Sequence, residues 1–184
     1  MAFNVRKAAQ VIALLAREAG GSIDLITAVK MAYLADRRFM ELRDLPILND
    51  DRVSMEHGPV DSETYNYIRG EGAHRDIWTK YVVTAKQANL VQVARELGDD
   101  DFDELSDAEV SVIKDIFNRF KGLKPFQIVD YVHMNCPEWE NVGKTSKFLP
   151  YERVFNALGK KNANALTDRV YEFRNLAAAH AQAK

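Results

Sequence analysis

Residues 30–65, KMAYLADRRFMELRDLPILNDDRVSMEHGPVDSETY, decide how this chain is read. The stretch begins on an amphipathic helix, crosses a turn cluster at Asn49-Asp50-Asp51, and reaches His57-Gly58-Pro59-Val60 before a new helix starts. Lys30, Tyr33 and Asp36 are spaced by three, which lays them along one helical face. Asp44-Leu45-Pro46 ends that helix, because the residue before proline avoids helical backbone angles. Arg52 to Glu56 alternates weakly in polarity and predicts one extended strand. Gly58-Pro59 predicts a stiff change of direction, since glycine admits unusual backbone angles and proline fixes its own. A rigid loop folded over a polar-striped helix makes either a buried polar network or a preorganised docking surface. Taken singly, each residue also fits an ordinary place: Tyr33 and Met55 in the core, Asp36 as a solvated or capping carboxylate, His57 beside a turn.

Upstream, residues 4–19 place Val5, Ala8, Ala9, Ile12, Leu15 and Ala16 at helical spacing. Gly20-Gly21 ends this helix, and Ser22 is the expected cap of the next, over about residues 23–42, with Ile26, Val29, Tyr33, Leu34 and Phe39 inward. Downstream, Ser62 opens a third helix to Arg69. The aromatic and β-branched run 77–83 and the segment 90–93 then predict a β-hairpin. Gly98 to Asp103 reads as an acidic loop. Ser106 and Glu109 form a capping box before a helix 108–120 that buries Val112, Ile113, Ile116, Phe117 and Phe120. Pro125 opens a further helix to about Met134, with Ile128, Val129 and Val132 inward. Residues 140–149 read as loop, Pro150 leads a helix to Leu158, and a last helix runs over 163–181 with a tail, AAAHAQAK, expected to fray. The fold class is mainly α with a small β-hairpin, one compact helical domain. Three helices followed by a hairpin is also the element order of a winged helix in the N-terminal half.

With 184 residues, the chain has room for one well-buried core. Its 47% apolar and 28% charged content is that of a globular protein. The formal net charge of -2, from 25 basic and 27 acidic residues, gives no general attraction for phosphate backbones. Nucleic acid is therefore an unfavoured partner. The apolar run Val11 to Ala16 is too short to span a bilayer, so the N-terminus reads as an amphipathic helix rather than a signal sequence. No membrane association and a cytoplasmic location are the expectations. The single cysteine, Cys136, fits a reducing compartment.

The histidines at 57, 74, 133 and 180 are scattered, with no HxxxH or CxxC spacing, so no metal site is expected. Phosphate-cradling glycine motifs are lacking as well, and no cofactor is expected. His133 and Cys136 lie close in sequence, and a cysteine–histidine pair can be a nucleophile and its base. A lone cysteine beside an apolar helix is more often packing. The helix from Ser62 would be the reading element of a winged helix, yet its start brings Asp61 and Glu63 and no arginine.

Lys30-Met31-Ala32-Tyr33-Leu34-Ala35-Asp36, Pro46-Ile47, Asp51-Arg52-Val53 and Gly58-Pro59-Val60 with Tyr65 together resemble the Panacea domain of SocA-like antitoxins. The similarity continues through Leu105-Ser106, the helix to Phe120, His133 and Trp139, covering residues 8–145. Glu56-His57 departs from the aromatic or smaller residue that often precedes Gly-Pro in the family. The helices over 150–181 lie outside the resemblance. It implies a mainly helical, non-enzymatic protein of bacteria or phages that neutralises a cognate toxin by direct binding, in at least one relative as an adaptor to a protease. No catalytic residue is carried over. The residues expected to meet the partner are Gly58 and Pro59 with the adjacent side chains of Asp36, Arg37, His57 and Tyr65, all four taken as exposed. Tyr65 and Arg37 are of the types that anchor interfaces. Lys30, Tyr33, Met55, His133 and Trp139 are expected to support the shape.

Overall fold

In the computed structural model, which describes residues 3–182, the chain is mainly helical, with two small antiparallel sheets set against the helices. Helix α1 (Val5–Glu18) is capped by the Asn4 side chain, which accepts the Lys7 N–H, and buries Ala8 to Ala16 almost completely. After Gly20 and Gly21, both at positive φ, strand β1 (Ser22–Asp24) leads into the central helix α2 (Leu25–Arg43). Ser22 is therefore not the cap of α2. Asp24 is, accepting the Thr27 N–H at 3.1 Å. A carboxylate there satisfies an orphan donor and also suits the positive end of the helix dipole.

Strands β2 (Arg52–Met55) and β3 (Gly58–Asp61) form a hairpin, with Met55 opposite Gly58 and Arg52 opposite Asp61. Gly58-Pro59 is thus the start of a paired, buried strand rather than a loop. The turn itself is Glu56-His57, and both of its residues are exposed. A late two-residue strand, β6 (Lys147–Phe148), extends this sheet on the β2 side, inside a segment expected to be loop. Helix α3 (Ser62–Arg69) follows as expected. Its N-terminus is satisfied by neither Ser62 nor Asp61, however. Asp50, more than ten residues earlier, accepts the N–H groups of Glu63 and Thr64 and the Thr64 hydroxyl.

The second sheet has the order β1–β5–β4, with β4 (Val82–Ala85) and β5 (Leu90–Val93) as a hairpin. It begins later than expected, because Ile77 and Trp78 belong to a short helical turn, α4 (Arg75–Trp78). There Trp78 buries its ring beside Tyr67, centroids 5.2 Å apart. Burial against Tyr67, on the preceding helix, overrides the β preference of an aromatic residue. The acidic segment 99–102 is a short 3-10 turn that buries Phe102.

Helix α5 (Asp107–Phe120) carries the Ser106–Glu109 capping box and buries the five apolar residues expected of it. Helix α6 (Pro125–Asn135) buries Ile128, Val129 and Val132. Helices α7 (Tyr151–Ala157) and α8 (Ala163–Gln182) close the chain, and Tyr151, Val154, Phe155, Leu166 and Val170 join the same apolar cluster as α1 and α2. In the tail AAAHAQAK, expected to fray, the helix continues to Gln182, and residues 183–184 lie outside those described. Among the described residues no helix is long and apolar enough to cross a membrane.

Candidate functional site

The polar stripe of α2 is sealed inside the molecule. Asp36 is 0% exposed, and its carboxylate accepts the backbone N–H groups of Ile47 at 2.6 Å and Leu48 at 2.8 Å. Its other oxygen meets the guanidinium of Arg52. Asp36 is therefore not an exposed contact residue. It holds the chain that leaves α2 against the hairpin that follows. Arg52 is equally buried, with its Nε 3.4 Å from Asp61 Oδ1 and its guanidinium carbon 4.2 Å above the Tyr151 ring.

Two carboxylates, those of Asp36 and Asp61, thus flank one arginine in a dry interior, and that of Asp50 lies near enough to feel its charge. Such charges are tolerable only when each is paired or accepts several hydrogen bonds. Asp61, which accepts none among the described residues, shows the strain. Burial pushes its carboxyl well above the ordinary range, with Asp36 adding to the effect and Arg52 opposing it. Burial likewise pushes Asp50 up to about 6, against the hydrogen bonds from Thr64 and Glu63.

A second set of contacts comes from residues 133–139, at the end of α6. Glu138, itself buried, accepts the Tyr33 hydroxyl at 2.6 Å and takes Arg37 through Nε at 2.6 Å and Nη2 at 3.2 Å. This fork of two N–H donors on one carboxylate ties the tight segment after Cys136 to α2. The next residue, Trp139, donates its indole N–H to the Met55 carbonyl at 2.8 Å and stacks on His133 with ring centroids 3.9 Å apart. Adjacent residues therefore fix the helix on one side and the hairpin on the other. Cys136 is buried, and desolvation, with Glu138 adding to it, pushes its thiol up to about 12. A thiol so disposed is not a ready thiolate.

Beside the hairpin lies a half-open cleft of about 230 Å³. Its walls are Leu25, Ile26 and Val29 of α2, Met55 and Val60 of the hairpin, and Tyr65 of α3. Lys30 lines the same cleft. Its ammonium donates to the Pro59 carbonyl at 3.0 Å, its one hydrogen bond among the described residues. Desolvation lowers this amine to about 7. Glu56, His57 and Lys144 stand at the mouth.

Of the residues expected to meet a partner, His57 is exposed, Tyr65 and Arg37 are half-buried, and Asp36, Gly58 and Pro59 are buried. All five expected supporting residues lie against the hairpin or α2: Lys30, Tyr33, Met55, His133 and Trp139. The sequence places Asp50 in a turn, Arg52 in the family-like motif and Asp61 at the start of α3, but gives none of them, nor Glu138, Tyr151 or Arg174, a part in a buried network. Their pairing joins positions far apart along the chain. The signals in the sequence are the crowding of acidic and basic residues into 50–52, without a helical face to solvate them, and the place of Arg52 in the family-like motif.

A family model described as "Antitoxin SocA-like, Panacea domain" matches residues 29–140, from the middle of the first α2 turns to just past Trp139. No curated protein and no solved structure gives a significant match.

Proposed function

The chain belongs to the SocA-like antitoxin family that carries the Panacea domain, and from that membership we propose that it neutralises a cognate protein toxin by direct contact. The observation that carries the proposal is the contrast between the hairpin's arms and its tip. The arms are anchored by Arg52, by the Lys30–Pro59 bond and by the Trp139–Met55 bond, while Glu56 and His57 project to the surface. A tip held by buried charge has little entropy left to lose on binding, which raises affinity for a given contact area.

The surface around it is apolar enough to be gripped. His57 meets the ring of Phe126 edge-on at 5.7 Å. Phe126 is 59% exposed, and Met134, two turns further along α6, is 77% exposed. Large apolar groups standing out beside a rigid polar rim suit a protein interface. Contact rather than catalysis is also favoured by Cys136, whose buried thiol lacks the environment of a nucleophile, and by His133, whose ring is engaged by Trp139. The site of action in this reading is the cytoplasm. Delivery of the toxin to a protease is a variant of the same reading, with the toxin held on the same surface.

Co-expression tests the proposal. The protein encoded beside this chain is expected to arrest growth when made alone and to be harmless when this chain is made with it. A neighbour that is harmless by itself removes the antitoxin reading. Pulse-chase of the toxin separates the variants, since a blocked toxin persists and a delivered one disappears.

A second reading, DNA binding in the manner of a winged helix, draws on the β1–β5–β4 sheet beside the N-terminal helices. The N-terminus of α3 weighs against it. That end already holds the Asp50 carboxylate and carries Glu63 in its first turn, both repelling phosphate. A gel shift on the DNA upstream of the gene, at physiological salt, decides between the two by sequence preference.

A further inference from the structure

The cleft between α2 and the β2–β3 hairpin has apolar walls and an incompletely matched buried cation among them. An ammonium has three N–H donors, and that of Lys30 uses one, on the Pro59 carbonyl. The side chain is 3% exposed, and among the described residues no carboxylate comes within ion-pairing distance of it. Asp61, whose charge acts on Lys30 from further away, lies instead 3.4 Å from Arg52 Nε. Holding a cation in so dry a place is unfavourable, and the amine sheds its proton more readily unless a counter-charge arrives to keep it.

We propose that this cleft receives an apolar segment of the toxin that carries one carboxylate, with Lys30 supplying the counter-charge. The inference rests on the antitoxin reading and names the chemistry of its recognition. Leu25, Ile26, Val29, Val60 and Tyr65 offer an apolar lining to flanking side chains, and Lys144 at the mouth adds a second positive charge on the path inward. Glu56 at the same mouth repels a polyanion, so a single acidic group among apolar neighbours fits better than a phosphate chain. The cleft opens beside His57, so an occupant can touch the hairpin tip as well.

The test uses the toxin encoded beside this chain and octanoate as a small apolar carboxylate, with octylammonium as its oppositely charged control. Binding is measured by calorimetry for the wild type, for Lys30→Met, which keeps length and loses charge, and for Ile26→Trp, which fills the cleft from a half-buried position in its wall. Circular dichroism confirms that each variant is folded, and Ile26→Trp keeps the test valid if Lys30→Met does not fold. The expected result is a toxin affinity reduced about tenfold or more in both variants, with octanoate and not octylammonium competing against the toxin on the wild type. Unchanged affinity in both variants overturns the inference and leaves the antitoxin reading standing. Octanoate that binds without displacing the toxin also overturns it, because the cleft then serves a free small carboxylate. A wild type that does not bind the toxin at all removes the antitoxin reading, and this inference with it.

Discussion

Trp139 reaches across from the end of α6 to the hairpin, where its indole N–H donates to the backbone carbonyl of Met55 at 2.8 Å. Met55 is the last residue before the exposed turn, so this bond and the stack on His133 set where the tip stands. Trp139→Phe keeps an aromatic surface for the stack and removes the donor, at an expected cost of about 1 kcal/mol. Trp139→Ala removes both and is expected to cost about 3 kcal/mol. Urea unfolding followed by circular dichroism measures both. Equal losses in the two variants would show that the stack contributes nothing.

Gly58 is the position where the hairpin most needs glycine. Its φ is +100°, and a Cβ there would lie 3.2 Å from Lys30 Nζ and 3.5 Å from Val132 Cγ1. Gly58→Ala therefore combines an unfavourable backbone region with crowding against a buried amine and α6. About 2 kcal/mol of lost stability is expected, together with weaker toxin binding. Amide hydrogen exchange at Val53 and Met55 is expected to quicken, and wild-type protection there would count against the strained-turn account.

The parts of this fold visible in the sequence are those set by neighbours along the chain. The apolar period from Val112 to Phe120, the Ser106–Glu109 box and the opening proline at 125 each predict a helix that the structure contains. What could not be read depends on pairs remote in sequence. Gly58-Pro59 looks like a bend in isolation and becomes a strand because β2 offers it a partner. Asp36 looks like a surface carboxylate on a helix with Arg37 and Arg38, until Arg52 and the N–H groups of Ile47 and Leu48 close over it. The site is legible in its supporting residues for the same reason. Lys30, Tyr33 and Asp36 share a face by helical geometry alone, but which way that face points is decided by Glu138 and Arg52.

Lys30 gives the chain a distinctive dependence on pH. Its amine titrates at about 7 in the folded state against an ordinary 10.5, so between these values the unfolded chain holds a proton that the folded chain does not. Stability from this group therefore rises with pH through that window and is lost as pH falls through about 7. Lys30→Met removes the titration. The variant is expected to gain most over the wild type near pH 6, with its advantage shrinking by about 3 kcal/mol by pH 9. Unfolding curves at a series of pH values read this directly. A constant difference between the two proteins across the range would mean that Lys30 is solvated in the folded state.

Removing Arg52 is expected to be the most damaging single change in the buried network. Arg52→Met leaves Asp36 and Asp61 without their shared cation in a dry interior, at an expected cost of about 3–5 kcal/mol. The loss has a pH signature. Asp61 already binds its proton more tightly when folded than when unfolded, and without Arg52 it does so more strongly, so acid relieves the variant more than the wild type. Thermal melts at pH 5 and pH 8 test this. An equal loss at the two values would indicate lost packing on Tyr151 rather than uncompensated charge.

The C-terminal helices lie beyond the family-matched span, yet two of their side chains hold the turn at Asp50-Asp51 within it. Tyr151 donates its hydroxyl to the Asp50 carbonyl at 2.8 Å, and Arg174 Nη2 meets Asp51 Oδ1 at 2.7 Å. Asp50 in turn satisfies the N-terminus of α3, so α7 and α8 brace the hairpin and α3 through one short turn. Tyr151→Phe leaves a buried carbonyl without its donor and keeps the ring beneath Arg52, at an expected cost of about 1–2 kcal/mol. The change is expected to appear locally as well, as faster amide exchange at Glu63 and Thr64, because the carboxylate that accepts from them is no longer held in place. Exchange there at the wild-type rate, with global stability reduced, would mean that Tyr151 supports only the packing of α7, and that the C-terminal helices add mass to the core without positioning the site.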